Sequence, residues 1–131
     1  MSSHAIEIIL SRQWAEYLCI PVFIVDPDGN MLYYNTPAEK LLGRSFEERG
    51  PVPVETWSQT FKPKDAEGRD LPPWELPLVQ TLQNREPAHG NFFIESLTGD
   101  IHHLSVTSIP IISLSLRFLG AIALFWKIDE G

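Results

Sequence analysis

The apolar residues of this chain fall into runs of strand length and repeats of helical spacing. Five runs rich in β-branched and aromatic residues, bounded by turn residues, lie at Val22–Val25, Met31–Tyr34, Asn91–Ser96, Ile101–Ile109 and Phe118–Trp126. Such runs predict β-strands. Helical patterns precede the first run, follow the second and occupy Pro73–Asn84. Two strands followed by helices and three more strands predict one α+β domain in a chain of 131 residues.

Residues 1–18 are predicted to form an amphipathic helix. Apolar residues recur there every three or four positions, at Ile6, Ile9, Leu10, Trp14, Tyr17 and Leu18. Pro21 marks the end of the pattern. A single short helix is not stable in water, so its apolar side is expected to lie on another surface.

The segment Pro21–Gly43 predicts a hairpin followed by a helix. Asp26-Pro27-Asp28-Gly29 contains residues that favour a tight turn, because proline presets φ and glycine accepts positive φ. Thr36-Pro37-Ala38-Glu39 predicts a capping box with Thr36 as the N-cap residue. Gly43 is expected to end this helix.

This opening resembles the PAS family of sensory domains, which begins with an apolar strand, an Asp-x-x-Gly turn, a short strand ending in Asn (here Asn35) and a helix closing on Leu-Gly. A second block, Gly68–Leu78, is similar to a bacterial PAS subgroup that has Leu-Pro-Pro before its long helix. The three C-terminal strands, with Pro110 after the fourth, extend the resemblance over residues 20–128.

The resemblance implies the PAS fold, a five-stranded antiparallel sheet with helices on one face. The domain would span residues 19–128, with the amphipathic helix at 1–18 before it and the start of a linker or tail at 129–131.

Matching strand parity to the family predicts which residues line the inner face of the sheet. The candidate ligand pocket is formed by inner strand residues and by leucines on the helical side: Phe23, Val25, Leu42, Leu78, Leu82, Phe92, Ile94, Leu104, Val106, Ser108, Ile122 and Leu124. Nearly all are apolar, which favours a small apolar ligand. The alternative is that they pack a filled core, and the two look identical in sequence.

The outer face of the sheet is also predicted to be covered, because Val22–Val25 and Phe118–Trp126 are apolar at both parities. A homodimer would bury more of this surface than one short helix can. Its candidate interface comprises apolar residues of the first helix, the last hairpin and the last strand: Ile6, Leu10, Trp14, Tyr17, Leu114, Leu116 and Phe125. The alternative is a monomer whose helix covers its own sheet.

The residues do not favour the cofactors of the better-known PAS branches. Haem-binding members take a histidine from the long helix, and Pro73–Asn84 contains none. His102 and His103 are adjacent in a strand and would point to opposite faces, so they do not suggest a metal site.

Flavin photosensors need a Gly-x-Asn-Cys-Arg motif, and the nearest stretch here begins at Gly43 and lacks cysteine. The matched flavin-contacting positions Ile94, Leu104 and Ile122 are apolar. No haem, flavin or metal is therefore expected. Cys19 is expected to be a buried small apolar residue.

Composition narrows the function further. A net charge of −7 with scattered basic residues argues against direct nucleic-acid binding. A single cysteine and the absence of a secretory pattern at the start predict a cytoplasmic protein. The long apolar stretch Ile109–Trp126 is interrupted by Pro110, Arg117 and Gly120, which favours strand–loop–strand over a membrane span. No catalytic motif is present, so no enzyme is predicted.

Two function classes follow. The resemblance implies a sensory module of a bacterial regulator, such as a two-component or transcription-regulating protein. It would bind a small apolar ligand or a partner domain and relay the change to a kinase, phosphatase, cyclase or DNA-binding output domain. The alternative is a ligand-free dimerisation module whose covered sheet face is the functional surface.

Overall fold

The computed structural model describes residues 6–43, 45, 53, 56, 63–95 and 99–128. Its helices are α1 (Ile6–Ala15), α2 (Thr36–Leu42) and α3 (Pro77–Asn84), with a 3-10 turn at Pro73–Glu75. Its strands are β1 (Val22–Val25), β2 (Met31–Tyr34), β3 (Ala88–Glu95), β4 (Ile101–Ile112) and β5 (Phe118–Lys127).

The predicted helix over Pro73–Asn84 is divided in two. Leu76 is extended, with ψ of 134°, and α3 begins at Pro77 immediately after it. A proline disfavours helical geometry in the residue before it and is well tolerated at the first helical position. The sequence therefore breaks the helix where Leu76 meets Pro77.

The strands form one antiparallel sheet in the order β2-β1-β5-β4-β3. Helices α2 and α3 lie on one face, called the inner face here, where Leu42 and Leu78 join its core cluster. Helix α1 lies on the opposite, outer face, where Ile8 joins a second cluster. All four residues of β1 are buried, as expected for a strand covered on both faces. The predicted fold class is confirmed.

The turn between β1 and β2 forms as predicted. The Asp26 carboxylate accepts hydrogen bonds from the backbone N–H groups of Asp28 and Asn30, both at 2.9 Å. Gly29 adopts φ of 88° and donates its N–H to the Asp26 carbonyl. The aspartate therefore organises the turn, and the glycine supplies the positive φ that closes it.

The N-cap of α2 lies one residue earlier than predicted. Asn35 is the cap: its side-chain oxygen accepts from the N–H of Ala38 at 3.2 Å, and Thr36 is an exposed first helical residue. The capping-box prediction was therefore wrong at its first position. Asparagine caps as well as threonine does, and here its amide also reaches partners outside the helix. Gly43 ends the helix at φ of 76°, as predicted.

The prediction that Ile122 and Leu124 of β5 lie on the inner face was also wrong. Ala123 pairs directly with Phe23, and directly paired residues share a face. Phe125 therefore lies in the inner core, whereas Ile122 and Leu124 lie in the outer cluster. The parity argument failed because β5 is apolar at both parities, so only its pairing with β1 fixes which side faces inward.

Helix α1 packs on the sheet through a different side from the predicted stripe. Its buried residues are Ile8 and Ala15, whereas Ile6, Leu10 and Trp14 are exposed. Ile8 and Ala15 are seven residues apart and share one side of the helix. Within α1 the apolar stripe therefore faces away from the sheet of its own chain, whereas Leu18, beyond the end of the helix, packs against the outer cluster.

A polar contact holds α1 against β2. The Tyr33 hydroxyl donates to the Glu16 carboxylate at 3.2 Å, and the Arg12 guanidinium lies 4.5 Å from the centre of the Tyr33 ring. Burial, reinforced by the Glu16 carboxylate, raises the pKa of Tyr33 to about 12. The phenol therefore stays protonated at neutral pH and remains a hydrogen-bond donor.

The apolar C-terminal stretch forms the β4–β5 hairpin predicted for it. Pro110 lies beyond Ser108, where pairing with β3 ends, so part of β4 has a neighbour on one side only and tolerates proline. Within the described part of the chain, no helix has the length and hydropathy required to cross a bilayer.

Candidate functional site

The inner core contains a small apolar cavity of about 30 Å³, room for about one water molecule. Its walls are side chains of the sheet, the segment before α3 and α3 itself: Phe23, Met31, Pro63, Leu76, Pro77, Leu78, Phe92, Ile94, Val106 and Phe125. Apart from the Met31 thioether, a weak acceptor, these side chains are hydrocarbon, so the described walls offer an occupant almost no hydrogen bonding. An occupant would be held by contact and exclusion from water alone.

The predicted pocket residues separate into three groups in the structure. Five line the cavity: Phe23, Leu78, Phe92, Ile94 and Val106. Five others lie in or beside the inner core without lining it: Val25, Leu42, Leu82, Leu104 and Ser108. Ile122 and Leu124 lie on the outer face, as corrected above.

Phe125 lines the cavity although sequence reasoning placed it at a dimer interface. Its ring meets those of Phe23 and Phe92 edge-on, with centroids 4.8 and 6.4 Å away. The sequence carried no signal for this contact, because Phe125 joins the core only through the pairing of β5 with β1. A shift of any one ring changes the shape available to the other two.

Ser108 is a polar exception on the inner face of β4. The residue is fully buried, and its hydroxyl has no hydrogen-bond partner among the described residues. Its backbone carbonyl accepts a long hydrogen bond of 3.4 Å from the Thr81 hydroxyl of α3. A buried hydroxyl without a partner lowers stability, because it has given up its bonds to water.

We expect Ser108→Ala to leave the domain as stable as the parent or raise its free energy of unfolding by up to about 1 kcal/mol, since it removes an unpaired group. Thr81→Val is the matched comparison and should be mildly destabilising, because that hydroxyl is bonded. Urea denaturation followed by circular dichroism measures both. A clear loss of stability in Ser108→Ala would show that the hydroxyl does have a partner in solution.

A second, larger space of about 390 Å³ opens where β4 begins and β5 ends. We call it the end cleft. It is lined by residues before β1, of α2, and of the two strands: Cys19, Ile20, Pro21, Pro37, Lys40, Leu41, His102, Leu104, Phe125, Trp126 and Lys127. Cys19 is exposed here, so the prediction that it is buried was wrong.

Among the described residues that line it, the end cleft holds basic groups and no carboxylate. Burial, together with the nearby Lys127 ammonium, lowers the pKa of His102, while Asp100 acts in the opposite direction. The imidazole is therefore held toward its neutral form. Sequence reasoning missed this grouping because Lys40 and Lys127 are 87 positions apart in the chain, and only the fold brings them to one cleft.

The remaining interface candidates are exposed. Tyr17 follows the end of α1 and is 87% exposed. Leu114 and Leu116, at the tip of the β4–β5 hairpin, are fully exposed and 84% exposed. Leu116 also adopts φ of 64°, a conformation that leucine rarely takes. Ile6, Leu10 and Trp14 are exposed as well, whereas Phe125 is buried in the inner core.

Comparisons with known proteins agree on the architecture. Neither a protein-family model nor a curated protein sequence matches the chain. Among solved structures, the PAS domain of a protein from Colwellia psychrerythraea is 20% identical with a TM-score of 0.66, over 95% of this chain and 99% of that one.

Two further solved structures give the same result. The PAS domain of nitrogen regulation protein NR(II) from Vibrio parahaemolyticus is 22% identical with a TM-score of 0.61, over 91% of this chain and 98% of that one. A LOV protein of Rhodobacter sphaeroides is 8% identical with a TM-score of 0.72, over 96% and 70%. The sheet order, the helices on its inner face and these likenesses lead to one conclusion: this chain has the fold of the PAS domains.

Proposed function

We propose that this domain is a sensory module of a bacterial regulator that takes up a small apolar molecule at its inner core and relays the change to an output domain in the cytoplasm. One observation carries the proposal. A single strand, β5, presents Phe125 to an apolar cavity on the inner face and Ile122 and Leu124 to the cluster beneath α1 on the outer face. A displacement of β5 caused by a molecule in the inner cavity would therefore be passed directly to α1 on the outer face.

The relay has few steps. An apolar molecule that enlarges the cavity has to displace the rings of Phe23, Phe92 and Phe125, because they form much of its wall. Phe23 and Phe125 belong to β1 and β5, which pair along the centre of the sheet. Interiors are close-packed, so a shift there is passed to the side chains behind, including Ile8 of α1.

A toluene titration followed by NMR tests this proposal on the whole chain. Toluene has no polar group, so it matches the chemistry of the cavity walls. We expect resonances of Phe23, Phe92 and Phe125 to shift, together with those of Ile122 and Ile8 on the far side of the sheet. Val106→Leu adds one methylene to the cavity wall and should reduce the response.

Inner-face shifts without a response at Ile122 and Ile8 would disprove the relay. An absence of any response would disprove the binding step. The natural occupant can be sought by native mass spectrometry of protein purified from cells. This measurement reports a retained ligand and the number of subunits together.

A dimerisation module that binds no ligand is the second candidate function. Two observations favour it: the cavity is small, and the outward side of α1 leaves Ile6, Leu10 and Trp14 uncovered. A two-fold dimer would bury this side against its copy. In this proposal the interface also includes Tyr17, and Leu114 and Leu116 extend it only if the hairpin tip reaches the partner copy.

We expect the double substitution Leu10→Lys and Trp14→Lys to convert such a dimer to monomers, because two charges per subunit would be buried in the interface. Both side chains are exposed in the single chain, so the fold should survive. Gln13→Lys, an exposed position on the same helix, is the matched control. Light scattering with circular dichroism provides the measurement. A double variant that remains a dimer excludes this side of α1 from the interface.

A further inference from the structure

The end cleft combines basic side chains with an apolar wall. Lys40 of α2, Lys127 of β5 and His102 of β4 line it, and none of the described lining residues is a carboxylate. This is unexpected in a chain with 17 acidic and 10 basic residues and a net charge of −7. Lys40 and Lys127 form no ion pair with any described residue. Such a grouping attracts anions locally although the protein as a whole repels them.

The inner wall of the end cleft is apolar. Leu41, Leu104 and Phe125 belong to the inner core cluster, and each also forms part of the cleft wall. The volume of about 390 Å³ lies within the range of about 300–1,000 Å³ usual for small-molecule sites. An occupant that matches both parts needs a negative group at one end and hydrocarbon at the other.

The geometry points to the end cleft as a binding site for a small amphiphilic carboxylate, with its anionic group near Lys40 and Lys127 and its hydrocarbon against Leu41, Leu104 and Phe125. Two ammonium groups on flexible stems can hold one carboxylate between them, and no arginine is among the described residues that line the cleft. His102, held toward its neutral form, can donate one hydrogen bond to the same group.

Phe125 connects this site to the core. It lines both the end cleft and the inner cavity. An occupant of the cleft therefore lies against the same residue whose ring an apolar molecule in the cavity would displace. Binding at the end cleft does not depend on the proposed uptake of an apolar molecule, and either can hold without the other.

Cys19 provides a reporter that needs no substitution. It is the single cysteine of the chain, it is exposed, and it lies on the cleft wall. With octanoate as the probe, we expect the rate at which N-ethylmaleimide alkylates Cys19 to fall severalfold at saturation. Acetate lacks the hydrocarbon and 1-octanol lacks the charge, so neither should protect the thiol at the same concentration.

Charge recognition is tested with the double variant Lys40→Gln and Lys127→Gln, which should weaken octanoate binding by about tenfold in calorimetry. Both side chains are exposed, so the fold should be retained, which a thermal melt checks. The double variant Arg69→Gln and Arg117→Gln, an equal charge change at two exposed positions outside the cleft lining, should leave the affinity unchanged.

Three results would overturn the inference. The first is protection of Cys19 by 1-octanol as strong as that by octanoate, and the second is equal octanoate affinity in the double variant and the parent. The third is the absence of octanoate binding, or binding that shifts only inner-cavity resonances and leaves Cys19 fully reactive. This last result would support the proposed uptake at the inner core while excluding the end cleft, so the two proposals fail separately.

Discussion

Replacing Asn35 by alanine is expected to lower the free energy of unfolding by about 4 kcal/mol, a large part of the roughly 5–15 kcal/mol of a typical domain. Asn35 is 1% exposed and makes four hydrogen bonds through one amide. Its oxygen accepts from the backbone N–H groups of Val22 and Ala38, at 3.0 and 3.2 Å. Its nitrogen donates to the carbonyls of Ala15 and Ile20, both at 2.9 Å.

These four bonds join the end of α1, the start of β1 and the first turn of α2 at one buried point. Alanine would leave the N–H groups of Val22 and Ala38 and the carbonyl of Ile20 without this partner in a place that water reaches poorly, and each such group costs about 1–3 kcal/mol when it is left unpaired. The Ala15 carbonyl keeps the hydrogen bond that it accepts from the Leu18 N–H at 3.2 Å. Asn35→Asp keeps the acceptors but loses both donors and adds a buried charge, so it should be no milder.

Thr36→Ala is the matched control for Asn35. Thr36 is exposed and is not the cap of α2, so its loss should change the stability by less than about 0.5 kcal/mol. Urea denaturation of the three variants provides the measurement. Equal small losses in Asn35→Ala and Thr36→Ala would contradict the role of the Asn35 amide as the junction of the three elements.

Gly120→Ala is expected to prevent folding or to cost more than about 4 kcal/mol. Gly120 adopts φ of 138°, a region that residues with a side chain rarely enter. A Cβ atom there would come within 2.1 Å of the Val25 carbonyl oxygen, a backbone atom that cannot turn aside. Relief would require β1 and β5 to separate at the centre of the sheet, where Val25 pairs with Ala121.

Gly68→Ala separates the cost of a positive φ from the cost of the clash with the Val25 carbonyl. Gly68 also has positive φ, 80°, but a Cβ atom there meets nothing within 4 Å. It should therefore show the conformational cost alone, about 1–2 kcal/mol. Soluble yield and thermal melts distinguish the variants. A Gly120→Ala protein no less stable than Gly68→Ala would mean that the close approach of β5 to Val25 is absent in solution.

The sequence by itself determined the elements and their order. The Asp26–Gly29 turn needs only neighbouring residues, because the carboxylate, the proline and the glycine act within four positions. The same holds for the end of α2 at Gly43. The continuous apolar character of Val22–Val25 also showed that the sheet is covered on both faces. These features depend on local geometry and periodicity, and both can be read from neighbouring residues in the sequence.

Only the tertiary structure decided how those elements face one another. The facing of β5 depends on its register with β1, because Ile122, Leu124 and Phe125 are all apolar and each could face either way. The sequence pattern likewise identified an apolar stripe on α1, but contact with the outer cluster selected the side that bears Ile8.

The sequence also did not show which residues meet at the Asn35 junction or at the end cleft. Asn35 could be recognised as the end of a strand, but its four partners lie 3 to 20 positions away and meet only in the folded chain. Lys40, His102 and Lys127 are separated by even longer stretches, and charge patterning along the chain gives no sign that they converge. Long-range pairing brings such groups together, and a single sequence does not record which pairs form.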